Sequence, residues 1–444
     1  MLDLAIVNAA LPSRQGYWDI GIVDEKIAYI RPATSSLHPP SQDLSTESGL
    51  HSNDSSPSNG QPNGQPNDSV QTTLDARGHL VIPGLADAHF HLDKVSLLRR
   101  CVPKRGDFKE AMEVTLAAKR EFTLPDIQAR ASRHIEQAIA FGTSFMRSHV
   151  EVDPTIRLLA LEALLPLRDR YAWGIDIQLA VFAQEGITHD SEIPDLLRQA
   201  MAAGGDVIGS APYVDASPAE NIRTIFDIAE EFDCDVDFHL DFLDDDKPLL
   251  APVVIEETQR RGWQGRVCLG HMTKLAALSP EELQAIAKQL AEAGISVLAL
   301  PASDLYMMAR QDSHNVRRGV APVHTLAAHG VNVGLATNNV QNLFTPFGDG
   351  DLLKICTLLA QVLHLGNVSQ HHLCLEMATQ SAAQAMGIKH YGLTVGHSAD
   401  LVILGAETVS EAVGSAPIER TILKKGRIVA QNKLERQFFV PSEA

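Results

Sequence analysis

Apolar positions recur in two rhythms along this chain. Short apolar runs at residues 4–7, 18–23 and 26–30, separated by Gly or Asp-Glu turns, predict strands near the N-terminus. From about residue 85 to 386 the pattern changes. Apolar runs at 143–150, 175–182, 205–209, 234–239, 265–270, 295–300 and 331–336 alternate with helical-period stretches at 108–121, 126–141, 155–170, 218–232, 250–262, 280–293 and 351–365. A further apolar run, 80–86, leads into His89-Phe90-His91 and supplies the eighth strand. Strands return after about 387, at 401–404, 420–423 and 427–430. Alternation of this kind places the chain in the α/β class, with a (β/α)₈ TIM barrel over 85–386 favoured over an open sheet. Residues 1–84 and 387–444 share strand character and flank the barrel, so they are expected to pair as a small composite β-sandwich. Residues 33–72 break the pattern. They are rich in Ser, Asn, Gln, Pro and Gly, with Gln61-Pro62-Asn63-Gly64 followed by Gln65-Pro66-Asn67, and are expected to be a disordered insertion.

Composition narrows the function classes. With 444 residues and 45% hydrophobic content there is ample material for a large core. A formal charge of −18 argues against nucleic acid or an anionic membrane surface as the main partner, and its plain consequence is solubility. The five cysteines include no Cys-x-x-Cys, which fits reduced thiols in a cytoplasm. No basic leader with an apolar stretch opens the chain, and no run approaches about 18 apolar residues. Oligomeric state is open, and a homo-oligomer is compatible with all of this.

In a barrel of this type the reacting groups lie at the C-terminal ends of the strands. Those ends carry His89 and His91, then His149, Gln184 with Glu185, Tyr213 with Asp215, His239 with Asp241, His271, Asp304, and finally Thr337-Asn338-Asn339. Residues i and i+2 of a strand face one side, so His89 and His91 aim at one point, a common way to seat a divalent metal. A lone buried histidine is more often a core residue than a ligand. Histidines on several strands converging on one mouth favour a metal site at His89, His91 and His239; His149 and His271 are equally compatible with hydrogen bonding. No phosphate-cradling glycine loop and no Gly-x-Ser-x-Gly elbow is present.

The ordered set His89-Phe90-His91-Leu92-Asp93-Lys94, Ser148-His149-Val150-Glu151, Phe182-Ala183-Gln184-Glu185-Gly186, Asp237-Phe238-His239-Leu240-Asp241, Gly270-His271-Met272-Thr273 and Ala399-Asp400-Leu401-Val402 resembles the amidohydrolase superfamily. The resemblance is to its cytosine deaminase-like branch, which includes the triazine-side-chain amidohydrolase of atrazine breakdown, and it covers the chain apart from 33–72. It implies hydrolysis of a non-peptide C–N bond of a small nitrogen heterocycle or cyclic amide by water on one divalent ion, Zn²⁺, Fe²⁺ or Mn²⁺. It implies metal ligands at His89, His91 and His239, with Asn338 at the fourth position. His271 would polarise water, Gln184 would read the amide-like edge of the ring, and His149 would also face the substrate.

Two positions depart from that pattern. Phe242 stands where the branch has a proton-shuttling glutamate, and Asn338 where it has a metal-binding aspartate. A lost general acid–base group typically costs 10²–10⁴-fold in rate. Either other groups move the protons, with Asp241 and His271 favoured and Glu151 or Asp304 in reach, or the substrate needs less protonation. A rival reading is an impaired barrel that binds a small heterocycle without turnover.

Overall fold

The computed structural model describes residues 2–33, 70–242 and 244–439. Eight parallel strands form the barrel: after β1 (Leu2–Leu11), β2 (Arg14–Val23), β3 (Lys26–Pro32), β4 (Val70–Asp75) and β5 (Val81–Pro83) come β6 (Leu85–Phe90), β7 (Thr143–Glu151), β8 (Asp176–Ala183), β9 (Val207–Ser210), β10 (Asp235–Leu240), β11 (Val267–His271), β12 (Ser296–Ala299) and β13 (Val333–Leu335). Each of β6 to β13 pairs with its sequence neighbour, as short βα loops demand. The seam between first and last strand closes at one isolated parallel bridge, Phe90–Asn338. Three hydrogen bonds hold it: Asn338 N–H to the His89 carbonyl at 2.8 Å, His91 N–H to the Asn338 carbonyl at 3.1 Å, and Thr337 N–H to Asp87 Oδ1 at 3.0 Å.

Helices cover the outside, and their ends follow local sequence. Asp107 caps Phe108–Lys119 by accepting from Glu110 N–H, and Ser279 with Glu282 forms a capping box on Pro280–Glu292. The sequence reading omitted Glu192–Ala202 and Val368–Met377. The first carries Pro194, which reads as a helix breaker but sits in the first turn, where no N–H is needed.

The remaining strands form two sheets, ordered β3-β2-β1-β4 and β16-β15-β14-β5, with β14 (Leu401–Leu404), β15 (Arg420–Lys424) and β16 (Arg427–Asn432). Strand β5 precedes the barrel yet pairs antiparallel with β14, which follows it. Leu4, Ile6 and Ile20 pack in one core with Val81, Leu401 and Leu423, so both chain ends build the small β-domain together. Most of the expected insertion, residues 34–69, lies outside the described residues. Val70–Thr72, also assigned to it, instead open β4 alongside β1, where Leu2–Val7 supplies a parallel pairing edge. Arg420 on β15 clamps this domain to the barrel through a bidentate ion pair with Asp351 at 2.7 and 2.8 Å, both side chains buried. Among the described residues no helix is long and apolar enough to cross a membrane.

Candidate metal centre and substrate pocket

His89 and His91 leave β6 on one side, and His239 leaves β10 opposite them. The His239 Nε2 lies 3.1 Å from that of His89 and 3.2 Å from that of His91. All three are buried, and burial, reinforced by the other cations around them, holds each well below the ordinary histidine pKa. They are therefore neutral, with lone pairs available. Three lone-pair nitrogens this close repel unless something positive lies among them. Ligands about 2.0–2.1 Å from a tetrahedral cation stand about 3.3 Å apart, which is close to the spacing here. The residues present fit a divalent ion. A small residue at 270 is part of the fit, because a Cβ on Gly270 would lie 2.9 Å from His89 Cε1.

The other expected residues divide. His271 lines a cavity with His91, His239, Gln184 and Asn338. Its Nδ1 is 2.7 Å from Asp304 Oδ1, and its backbone is left-handed (φ 73°), an uncommon conformation for a residue with a side chain. Gln184 reaches Tyr213. Asn338 donates from Nδ2 to Ser303 Oγ at 2.8 Å, and its Oδ1 accepts from Asn339 at 2.9 Å. Phe242 packs on the His271 ring at 4.1 Å between centroids and fills the wall with Phe108 and Tyr213.

Two expected residues are elsewhere. Asp241 turns away through a left-handed backbone (φ 47°), and its carboxylate accepts from Leu250 and Ala251 N–H at 2.8 and 3.1 Å, at the start of the helix Ala251–Arg261. The adjacent Phe242, not Asp241, reaches the cavity. His149 lies behind the triad of His89, His91 and His239, its ring 3.8 Å from that of His89 and its Nε2 3.3 Å from Asp237 Oδ1, and it does not line the cavity. Asp237 is itself fixed by Arg147 at 2.9 Å.

In sequence, a charge pair after a strand such as Asp93-Lys94 could contribute to a pocket but is more often a solvated loop. Both are buried, and Lys94 lines the cavity. Its ammonium pairs with Glu151, which also pairs with the buried Lys119; Lys119 in turn holds Asp153 at 2.8 Å and Glu185 at 2.7 Å. Burial alone would raise the Glu151 carboxyl, but the two ammonium groups prevail and hold it down to about 2. Glu151, Asp153 and Glu185 lie close enough to suggest a second cation site, yet Lys119 already occupies their centre. Neither lysine, Lys94 just after β6 nor Lys119 at the end of the helix Phe108–Lys119, gives a sign of burial in sequence.

The amidohydrolase family model matches residues 72–430. N-isopropylammelide isopropyl amidohydrolase of Pseudomonas sp. strain ADP is 28% identical over 97% of this chain and 98% of its own length. Pterin deaminase of Rhizobium rhizogenes is 29% identical over 80% of this chain and 82% of its own. Among solved structures, 5-methylcytosine deaminase of Klebsiella pneumoniae, liganded with 5-fluorocytosine, superposes with a TM-score of 0.86 at 26% identity, covering 98% and 99% of the two chains.

Proposed function

This chain belongs to the amidohydrolase family, and on that premise we propose that it is a metal-dependent hydrolase of a C–N bond in a small nitrogen heterocycle or cyclic amide. The relatives named above are hydrolases or deaminases of ammelide, pterin and cytosine rings, which supports an enzyme acting on non-peptide C–N bonds. The observation that carries the proposal is the convergence of the three neutral Nε2 atoms of His89, His91 and His239 beside a cavity lined by Gln184, His271 and aromatic rings.

In this reading those three histidines hold one divalent cation, with Asn338 offering a neutral carbonyl oxygen nearby. When bound, the cation lowers the pKa of a water toward about 7 and so supplies hydroxide at neutral pH. The rest falls to the protein. Asp304 fixes His271 by Nδ1, which leaves Nε2 to carry a proton to or from the reacting atoms. Gln184, in reach of Tyr213, presents donors and an acceptor in one plane to the ring edge. Phe242 and Phe344 give the cavity flat apolar walls that suit a ring and keep bulk water from the His271 nitrogen. His271 with Asp304 thus takes the proton-handling role in place of a carboxylate at 242.

The test is ammonia or amine release from cytosine, pterin and N-alkylated ammelide, using protein reconstituted in turn with Zn²⁺, Fe²⁺ and Mn²⁺ and the chelated protein as control. Turnover that needs a metal and disappears in His239→Ala supports the proposal. Absence of release from every ring with every metal overturns it.

A further inference from the structure

The charge of the cavity wall selects among rings. Of the described residues lining it, Lys94 is the one with a formal charge, and none is a carboxylate. The acidic groups around the site stand behind the wall: Asp304 against His271, Asp237 against Arg147, Glu151 between Lys94 and Lys119, and Asp93, buried beside Lys94 and accepting from Glu151 N–H. The two departures from the family pattern, Phe242 and Asn338, each leave a neutral side chain on the wall.

Lys94 is also unusually well placed. Lysine is almost never fully buried unless paired, and this one is only 2% exposed. Its main chain is pinned on both sides. Arg130 donates to the carbonyls of Asp93 and Val95 at 2.8 and 2.9 Å, and Asn342 donates to the Lys94 carbonyl at 3.3 Å. The ammonium lies 5.3 Å from the Phe182 ring centre and 5.2 Å from that of Phe344. Among the described residues Glu151 is its one hydrogen-bond acceptor, and an ammonium has three N–H donors. A rigid, dry, preorganised cation facing a cavity is a recognition element for negative charge.

We propose that the ring this pocket takes is an anion, a deprotonated cyclic imide or a ring bearing a carboxylate, with its charged oxygen against Lys94. This rests on the hydrolase reading only for the presence of a ring. Lys94 is already paired with Glu151 on one side, and a charged substrate oxygen would take an N–H donor that Glu151 leaves free. A neutral ring offers that donor a weaker, uncharged acceptor, so the pocket prefers the anion.

Calorimetric titration of the full-length, chelated protein tests this, because removing metal eliminates the ion's own attraction for anions. The probes are barbiturate, an anion at neutral pH, and uracil, a neutral ring of the same size. The expected result is at least tenfold tighter binding of barbiturate, with the ratio falling below threefold in Lys94→Gln that melts as a folded protein. Uracil binding within threefold of barbiturate in the unmodified protein, undetectable binding of both, or a ratio unchanged in Lys94→Gln overturns the proposal. Should Lys94→Gln fail to fold, the ratio in the unmodified protein still decides. Anion-selective binding with no turnover of any ring would remove the hydrolase reading and leave this inference standing. Metal-dependent turnover of neutral rings without anion preference would do the reverse.

Discussion

Asp304 Oδ1 lies 2.7 Å from His271 Nδ1, although His271 ends β11 and Asp304 sits on the helix Pro301–Met307 that follows β12. Burial raises the Asp304 carboxyl while the histidine opposes that shift, so each partner depends on the other. Asp304→Asn keeps the shape but changes which ring nitrogen carries the proton. We expect kcat to fall about 10²-fold or more with KM within a few-fold. A purely structural role would instead lower the melting temperature and leave kcat per folded molecule intact, so steady-state kinetics with a melting curve separates the two.

Asn338→Asp should strengthen the metal site. The left-handed backbone of residue 338 (φ 64°) is one that Asn and Asp both tolerate, so the substitution brings charge without backbone strain. An anionic ligand next to a divalent ion is worth at least ~1.4 kcal/mol, tenfold in affinity, at a partly screened site. Metal loss to a competing chelator should be about tenfold slower in the variant, and equal rates would show that residue 338 does not touch the ion.

The Arg420–Asp351 pair joins the β-domain to the barrel with both charges buried. Arg420→Met removes one and strands the other, which typically costs ~3–5 kcal/mol. Asp351 also accepts from Leu353 N–H at the head of the helix Leu352–Leu363, so that helix should loosen too. Urea unfolding followed by hydrogen exchange in this helix checks both parts.

His134 gives a pH dependence with a defined sign. It is buried, stacked on Phe90 at 4.3 Å, and burial lowers its pKa from 6.5 to about 4. Between those values the unfolded chain binds a proton that the folded chain refuses, so stability falls as pH drops from about 6.5 to 4. The full loss is on the order of 3 kcal/mol. In His134→Phe the gap in melting temperature between pH 7 and pH 4.5 should shrink; an unchanged gap would assign the acid sensitivity to other groups.

Much of the architecture was written in periodicity, because each βα unit is a local pattern: the run expected at 143–150 is β7, Thr143–Glu151, and that expected at 234–239 is β10, Asp235–Leu240. His89, His91, His239 and His271 were legible for the same reason, being strand-end polar residues in an apolar register. What sequence could not show is which way a chain turns after its strand. Asp241 and Phe242 are neighbours, yet a left-handed residue at 241 sends the carboxylate to a helix end and the ring to the cavity. Nor could it show long-range pairing. Lys94 reads as a loop charge until Glu151, 57 residues on, is placed beside it.

The bridge between Phe90 and Asn338 has a consequence for synthesis. His89 and His91 come with the first barrel strand and His239 with the fifth, whereas the segment that satisfies the His89 carbonyl and the His91 amide follows β13, the eighth. While the chain is still being made, those two backbone groups face an open gap, so any ion bound then has only part of its surroundings. The site is finished by one of the last barrel segments to be made, so any loading with metal is expected to follow synthesis of β13 rather than to guide folding of the earlier strands.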